Sequence, residues 1–156
     1  MILNYTTKAS KTMDGVYACW ENAFAIGAAG GQAAPTTPIA DCTSFSIAFN
    51  NNVEEWTPFG EEGWMRRFMT GKDVTVSVSA KRNVGDAGND MVAGISFESG
   101  HSAEKDFAIN FPDGSKVWFS NAVISVTNNS GGDSTNVAPL EFTVMSNGKP
   151  AFTPAA

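Results

Sequence analysis

The chain has 156 residues, which suits one domain, and 42% of its residues are hydrophobic while 17% are charged. This composition is typical of a globular protein with a large apolar core and excludes a disordered chain. The formal net charge of −6 argues against a protein that grips nucleic acid, because such proteins need an excess of lysine and arginine to contact phosphates. We expect a single domain over residues 1–156.

The N-terminal part of the chain carries few signals of its own. The first ten residues, MILNYTTKAS, lack the basic and apolar regions of a secretory signal, and no apolar run reaches the length of a membrane span. Cys19 and Cys42 do not have the spacing of metal ligands. We therefore predict two reduced, structural cysteines in a protein made in a cytoplasm, with no membrane association.

Alternation of apolar and small polar residues predicts about six strands. A first, less regular strand falls near residues 16–24. The clearest later ones place their apolar residues on one face, and these are Phe45, Ile47 and Phe49; Val74, Val76 and Val78; Phe107, Ile109 and Phe111; Leu140, Phe142 and Val144. The opposite faces consist of Ser, Thr, Asn and Ala. Such strands favour an antiparallel sheet that is packed on one side and wet on the other.

Three segments are predicted to be loops or arms. Residues 27–38 are rich in Ala, Gly and Pro and are expected to form a flexible loop. Residues 128–136, NNSGGDSTN, form a second and more polar loop. Residues 147–156 contain two prolines and are expected to extend as a C-terminal arm. Flexible segments of this kind suit contacts that become ordered against a neighbouring molecule.

The stretch KRNVGDAGND, residues 81–90, ends a strand and begins a helix in our interpretation. Glycines allow the turn, and Asp86 or Asn89 caps a helix that places Met91, Val92, Ile95 and Phe97 near one face. The spacing of an EF-hand loop is absent, although a weaker calcium geometry through Asp86 and Asp90 stays open.

No arrangement of residues supports catalysis. His101 is the chain's one histidine and has no GxSxG serine motif to serve. One histidine and two distant cysteines do not supply the ligand set of a zinc site. The Gly71-Lys72 pair lacks the remainder of a phosphate-binding loop. The sequence therefore predicts no enzyme activity, no metal and no cofactor.

One segment is unusually rich in residues that favour protein contacts. Residues 53–71, VEEWTPFGEEGWMRRFMTG, contain two tryptophans, four glutamates and two arginines. Trp and Arg are enriched at interaction hot spots, so this segment is either an interface or a pair of core tryptophans flanking a solvated loop.

From about residue 52 to its end, the chain resembles the major tail tube protein of long-tailed phages and prophages of Gram-positive bacteria. The resemblance lies in the ordered motifs EEWTP, GWMRRFMTGK, KRNVGDAGND and GGDSTN. It implies a mainly β fold, a β-sandwich with one flanking helix. It also implies that the subunits form hexameric rings in which strands from each subunit complete a shared β-barrel, and that stacked rings form the tail tube.

The resemblance also implies partners and a location. The partners would be further copies of the chain, the tape measure protein, and the tail tip and tail terminator proteins. DNA would pass non-specifically through an acidic lumen, in a virion tail assembled in the host cytoplasm. The residues expected to support the corner and the subunit contacts are Trp56, Trp64, Arg66, Arg67, Lys72, Lys81, Arg82, Asp86, Asn89, Asp90 and Asp133. Arg66 or Arg67 would pair with acidic residues of a neighbouring subunit.

A second hypothesis comes from a different class of protein. A β-sandwich adhesin or carbohydrate-binding module would use Trp56 and Trp64 as stacking platforms for sugars. Ring or tube formation favours the tail protein, whereas glycan binding by a stable monomer favours the module.

Overall fold

Eight antiparallel strands contain about half of the residues in the structure, a computed structural model that describes residues 14–155. The short helix α1 spans Ala87–Ala93, and single 3-10 turns span Cys19–Glu21 and Gly100–Ala103. The strands are β1 (Ala23–Ala28), β2 (Thr37–Pro38), β3 (Cys42–Trp56), β4 (Arg66–Lys81), β5 (Glu104–Asn110), β6 (Lys116–Asn129), β7 (Pro139–Met145) and β8 (Ala151–Thr153).

The strands follow the order β2-β1-β5-β6-β7-β4-β3 in one continuous sheet, and β8 pairs with β6. Strand β6 serves two layers, because residues 116–123 pair with β5 and residues 123–129 pair with β7. The sheet folds back on itself, since Phe24 of β1 and Phe45 of β3 are in contact although their strands lie near opposite ends of this order. The fold is therefore the mainly β, sandwich-like fold that the resemblance implies, with β3, β4, β7 and the second half of β6 as one layer.

The core lies between the two layers and is built around Phe107. Its ring is fully buried and lies 6.2 Å from Phe24, 6.1 Å from Phe119 and 6.4 Å from Phe142, measured between centroids. The apolar faces predicted from alternation supply five further core residues, Val76, Val78, Ile109, Leu140 and Val144. Burial of each such side chain stabilises the fold by roughly 1.5–3 kcal/mol.

Helix α1 begins directly after Asp86, as predicted. The Asp86 carboxylate accepts a hydrogen bond from the Asn89 backbone N–H at 3.0 Å, which caps the helix. Val92 and Ile95 are buried, whereas Phe97 is fully exposed. The expectation that Phe97 shares the buried face is wrong, because the helix ends at Ala93 and the chain changes direction before residue 97.

The first strand lies later in the chain than predicted. Residues 16–22 are not strand, and β1 covers Ala23–Ala28 because Phe24 and Ile26 pair with the buried Ile109 and Phe107 of β5. Alternation alone could not separate these residues from the apolar residues before them.

The loop within residues 27–38 is shorter than predicted, and it is hydrogen-bonded to other strands of the same chain. Both of its ends are strand residues, because β1 runs to Ala28 and β2 covers Thr37–Pro38. Between them, the Gly30 N–H donates to Asn121 Oδ1 at 2.7 Å, and the Gly31 N–H donates to Asp106 Oδ2 at 3.2 Å. The segment is therefore anchored to strands β5 and β6.

The C-terminal segment also pairs with another strand of the same chain. Ala151–Thr153 form β8, which pairs with residues 116–118 at the start of β6. The sequence predicts an extended C-terminal arm over residues 147–156, and three residues of this segment pair with the same chain as a short strand.

Candidate assembly interface

Strands β3 and β4 continue well beyond the sandwich as a two-stranded hairpin. Strand β4 pairs with β7 only over residues 75–81, whereas its pairing with β3 extends to Arg66 opposite Trp56. We call residues 50–73 the projecting hairpin and residues 57–65, which join its strands, the hairpin turn. Gly60, Glu62 and Gly63 adopt positive φ angles of 86°, 55° and 87° in this turn. Strands of this length were not predicted from the sequence.

The projecting hairpin exposes many large apolar side chains. Phe59 in the turn is fully exposed and Trp64 is 77% exposed. The hairpin's exposed large apolar residues are Val53, Trp56, Phe59, Trp64, Met65, Phe68 and Met69. The strand register places Trp56 and Phe68 on one face of the hairpin and Val53 and Met69 on the other. Exposed apolar side chains in this number favour a contact with another molecule. The tryptophans are therefore surface residues and not core residues.

The two arginines of the hairpin have partners within the hairpin. Arg66 Nη1 lies 2.7 Å from Glu61 Oε1, and Arg67 Nε lies 2.9 Å from Glu55 Oε2. Both arginine side chains are 61% exposed, so each pair contributes only about 0–1 kcal/mol to folding. Within one chain the partners are therefore acids of the same hairpin, and the pairing of Arg66 or Arg67 with acids of a neighbouring subunit stays a prediction. Both arginine side chains nevertheless remain exposed to solvent.

The layer formed by β3, β4, β7 and β6 has an outward face of small polar residues. The strand registers align Ser125, Thr143, Ser77 and Ser46 in one row across the four strands. The neighbouring row is Val123, Met145, Thr75 and Ala48. The predicted short-chained polar face is therefore present in the row from Ser46 to Ser125, whereas Val123 and Met145 make part of the neighbouring row apolar.

Both edges of this layer lack a main-chain partner among the described residues. Strand β3 pairs only with β4, so its other edge is open along the strand. Residues 124–129 of β6 pair with β7 on one side and extend past the end of β5 on the other. Unpaired edges of this length are sites at which another strand can be added.

A cleft runs beside the open edge of β6. It has a volume of about 540 Å³, and residues 95–104 form one wall while residues 123–126 of β6 form the other. His101 lies at this cleft, where its Nδ1 is 3.0 Å from Glu104 Oε2, and the imidazole is almost fully exposed. The cleft leaves room next to the strand edge.

Residues 81–90 form a strand-to-helix corner, as predicted, and Asn89 is its centre. The Asn89 side chain is fully buried and donates to the carbonyl oxygens of Ala40 at 3.2 Å and Lys81 at 2.8 Å. Its Oδ1 accepts from Arg82 Nη1 at 2.9 Å and from the Asn83 N–H at 3.0 Å. All four hydrogen-bonding positions of this amide are used, so the corner is locked.

The two aspartates of the corner face protein donors. Asp86 accepts from the Ala40 N–H at 3.1 Å in addition to capping the helix. Asp90 accepts from Arg82 Nη1 at 2.8 Å and from the Gly85 N–H. The hydrogen bond from Arg82 is the main reason why the pKa of Asp90 is below its ordinary value. Because both carboxylates are engaged in this way, the geometry does not favour the calcium alternative.

The predicted site residues fall into separate groups. Trp56, Trp64, Arg66, Arg67 and Lys72 lie on the projecting hairpin. A second group lies at the opposite end of β4 and consists of Lys81, Arg82, Asp86, Asn89 and Asp90. Asp133 lies in the exposed loop between β6 and β7. The structure therefore does not gather these residues into one site, as a catalytic centre would require.

Sequence reasoning missed two functional features. Phe59 was not singled out, although a fully exposed phenylalanine in a Gly-Glu-Glu-Gly turn is the hairpin's most prominent apolar side chain. Asp106 was not singled out either, and it is buried and accepts hydrogen bonds from the Gly31 N–H, the Asn121 N–H and Trp118 Nε1. An acidic residue in an otherwise apolar strand was the available signal.

The described residues contain no cluster of three or more His, Cys, Asp or Glu side chains arranged to hold a metal ion. Over the same residues, no helix has the length and apolar character needed to cross a membrane. Both cysteines are free thiols. Burial, followed by the nearby Asp41 and Asp86, raises the pKa of Cys42 to about 11, so this thiol is protonated at neutral pH.

Comparison with known proteins gives structural relatives only. No model of a known protein family matches the chain, and no curated protein sequence does. Among solved structures, the tail of an empty gene transfer agent particle with C6 symmetry aligns with a TM-score of 0.67 at 19% identity. That alignment covers 89% of this chain and 100% of the relative.

Tail-like injection systems have the same fold. The sheath-tube complex of an extracellular contractile injection system aligns over 95% of this chain and 97% of the relative, with a TM-score of 0.62 and 14% identity. A tube-terminating cap of the anti-feeding prophage aligns over 92% of this chain and 95% of the relative, with a TM-score of 0.61 and 17% identity. The chain therefore has the fold of tail proteins of phage-like particles.

Proposed function

We propose that the chain is a non-catalytic structural subunit that polymerises as stacked hexameric rings into the tail tube of a long-tailed phage or a related tail-like particle. The observation that carries this proposal is the four-stranded layer with two open edges and a largely small and polar outward face. The shared fold with tail proteins, and the extent of exposed apolar surface on the projecting hairpin, support the same conclusion.

The strand directions in the layer are suitable for ring closure. Each neighbouring pair from β6 through β7 and β4 to β3 is antiparallel, so β6 and β3, at the two edges, run in opposite directions. Rotation about an axis along the barrel preserves strand direction. The edge of β3 would therefore meet residues 124–129 of a rotated copy in antiparallel orientation, and the cleft beside β6 would admit it.

In such a barrel the small polar face would line the lumen. Its acidic side chains are Asp73 and Glu141, and Lys81 lies at one end of the same face. Short hydroxyl side chains leave the channel wide, and the carboxylates repel DNA phosphates, which allows the genome to pass without binding. The net charge of −6 has the same effect at long range.

The proposal includes partners and a location. Beyond further copies of the chain, these partners are the tape measure, tail tip and tail terminator proteins of a virion assembled in the host cytoplasm. A phage or prophage of a Gram-positive host is the proposed source, on the motif resemblance described above. The DNA contact is non-specific transit only.

A cross-linking experiment tests ring closure. Ser46→Cys and Ser125→Cys place thiols on the two edge strands, in a background with Cys19→Ser and Cys42→Ala. Within one chain these positions are separated by three strand spacings, about 14 Å. A short thiol-specific cross-linker is expected to give a ladder that ends at the hexamer. Each single-cysteine variant is the control and should give dimers at most; a double variant that behaves like the controls would refute the shared barrel.

The exposed tryptophans also favour a second candidate function, a carbohydrate-binding module. Trp64 is 77% exposed and Trp56 is 46% exposed on the projecting hairpin, as sugar-stacking platforms would be. Titration with a glycan panel decides this: saturable binding that Trp64→Ala abolishes, by a protein that stays monomeric, would support the module.

A further inference from the structure

The bend between β7 and β8 contains the pair Asn147-Gly148, and Asn147 is the chain's one asparagine that is followed by glycine. Asparagine is a chemically labile residue, because its side-chain amide can be attacked by the backbone nitrogen of the next residue. Glycine permits the closest approach, since it has no Cβ atom. This pair is therefore the place in the sequence where an asparagine can most easily modify itself.

The structure leaves the attacking nitrogen of this pair open. Asn147 and Gly148 are both exposed, and apart from the chain neighbours no atom lies within 4 Å of the place where a Cβ atom of Gly148 would be. Within residues 14–155 the Gly148 N–H donates no backbone hydrogen bond. The Asn147 side chain donates from Nδ2 to the carbonyl oxygen of Asn121 at 3.2 Å. A surface hydrogen bond of this kind opens at little cost, because water replaces the partner.

A comparable pair in the turn between β5 and β6, Asp113-Gly114, has both of its reacting groups engaged. The Gly114 N–H donates to the carbonyl oxygen of Phe111 at 3.1 Å. The Asp113 carboxylate accepts from the Ser115 hydroxyl at 2.6 Å and from the Ser115 N–H at 2.9 Å. These hydrogen bonds lower the pKa of Asp113, and an ionised carboxylate is a poor electrophile. The fold therefore blocks at this turn the reaction that it leaves open at Asn147.

We propose that Asn147 and Gly148 form a self-modification site, at which Asn147 converts to aspartate and isoaspartate and thereby loosens β8. The backbone nitrogen of Gly148 forms a bond to Asn147 Cγ, and the bond between Cγ and Nδ2 breaks. The proton of the Gly148 N–H leaves through water with Nδ2, as ammonia. The product is a cyclic succinimide. Water then opens this ring at either carbonyl, which gives aspartate or isoaspartate, so that water is the sole co-reactant.

The position of the pair gives the modification a structural effect. Ser146 is anchored on one side, because its N–H donates to the Val74 carbonyl oxygen at 2.9 Å and its hydroxyl accepts from the Val74 N–H at 3.0 Å. On the other side, β8 is held by pairing with residues 116–118 alone, and its own residues 151–153 are exposed. A carboxylate cannot donate to the Asn121 carbonyl oxygen, and isoaspartate adds a carbon atom to the backbone between the two anchors. The short strand β8 is the weaker anchor and is therefore expected to separate first.

Loosening of β8 changes the surface beside it. Phe152 of β8 lines an apolar groove with a volume of about 810 Å³, together with Phe49 and Phe111. When β8 separates from β6, this groove loses one wall and Val117 becomes more exposed. The inference goes beyond the proposed tube and does not depend on it.

Peptide mapping by mass spectrometry tests the modification. The folded protein is incubated at mildly alkaline pH in water labelled with heavy oxygen, and residue 147 is expected to lose its amide and gain a labelled oxygen. The rate should lie within roughly tenfold of the rate in the same chain unfolded in urea, because the bend leaves the nitrogen free to approach Cγ. Asp113 is the internal control and should form isoaspartate only in the unfolded chain. A folded rate at Asn147 that is slowed more than this would overturn the inference.

Hydrogen exchange tests the loosening of β8. After conversion of residue 147, the amides of residues 151–153 are expected to exchange roughly tenfold faster or more, whereas those of β5 should keep their rates. Asn147→Gln, incubated in the same way, is the matched control, because it retains the amide but its longer side chain disfavours ring closure. Unchanged exchange at β8 in a protein whose residue 147 has been converted would overturn the proposed loosening.

Discussion

The rings of Phe24 and Phe45 lie 4.9 Å apart between centroids and meet edge to face, at an interplanar angle of 75°. Phe24 belongs to β1 and Phe45 to β3, so this contact joins two strands that the sheet order keeps far apart. Edge-to-face aromatic pairs contribute roughly 0.5–1.5 kcal/mol beyond the burial of their area. The contact therefore holds the two layers together at the end where the sheet has folded back.

Replacing Phe24 tests the importance of this contact. Phe24→Ala is expected to lower the free energy of unfolding by about 3–5 kcal/mol, because it removes a buried ring and leaves a cavity. Phe49→Ala is the control, since that ring is 63% exposed, and should cost less than about 1 kcal/mol in a monomer. Urea denaturation followed by tryptophan fluorescence measures both. Equal losses for the two variants would contradict the assignment of the core.

Gly88 gives a second test, at the contact between helix α1 and β2. A Cβ atom at this position would overlap the backbone carbonyl of Pro38, which cannot move aside as a side chain would. Gly88→Ala is therefore expected to cost about 1–3 kcal/mol, although alanine is the better helix former. Gly71→Ala is the matched control, because the nearest atom to its Cβ would lie at 3.7 Å. Thermal melts compare the two, and a Gly88→Ala protein at least as stable as the control would show that the helix packs elsewhere.

The strand-to-helix corner at residues 81–90 predicts that the free energy of unfolding decreases at low pH. The pKa of Asp90 is lower in the folded protein than its ordinary value of 3.8, chiefly because Arg82 donates a hydrogen bond to it. The ionised Asp90 carboxylate therefore contributes its full stabilisation above pH 3.8. This contribution is lost as the pH falls through the lower pKa that Asp90 has in the folded protein. Asp90→Asn should flatten the loss of stability below about pH 4.

Asp133→Asn provides the control for this measurement, because it removes one carboxylate from an exposed loop and changes the net charge equally. Urea denaturation between pH 2.5 and 6 gives the two curves. If Asp90→Asn keeps the acid dependence of the unmodified protein and of this control, the Arg82–Asp90 pair does not act as described.

Charge reversal on the hairpin addresses assembly. Arg66→Glu combined with Arg67→Glu is expected to leave a folded protein that forms no tubes, because the exposed pairs contribute little to folding but lie on the proposed contact surface. Size-exclusion chromatography and electron microscopy measure the two properties. Formation of normal tubes by this variant would contradict an assembly role of the two arginines.

A charge swap separates the two roles available to Arg67. Arg67→Glu combined with Glu55→Arg restores the pair within the hairpin with opposite polarity. If Arg67 supports assembly only through its pair with Glu55, the swapped variant should form tubes. If Arg67 instead contacts a neighbouring subunit, the swapped variant should form no tubes.

Alternation predicted the core well because burial of one face is a local property of each strand. The faces containing Val76, Phe107 and Phe142 are buried as expected, and Asp86 caps α1 where the sequence placed it. The strand-to-helix corner was recognisable because glycines and capping residues act within a few positions of each other. The outward face of small polar residues followed from the same alternation.

The projecting hairpin was not predictable in the same way. Residues 50–56 and 66–73 are exposed on both faces apart from Gly71, so no alternation marks them as strands. Their pairing depends on a turn in which Glu62, a residue other than glycine, adopts a positive φ. The burial of Asp106 and the return of β8 to β6 likewise depend on residues far apart in the chain. The apolar groove lined by Phe49, Phe111 and Phe152 is formed by five segments that are distant in the chain, so no local sequence pattern marks it.

Negative-stain electron microscopy of the unmodified protein at rising concentration, with light scattering alongside, tests the central claim most directly. The account predicts rings with six-fold symmetry, which stack into hollow tubes as the concentration increases. A protein that stays monomeric at every concentration, with its projecting hairpin exposed to solvent, would contradict it.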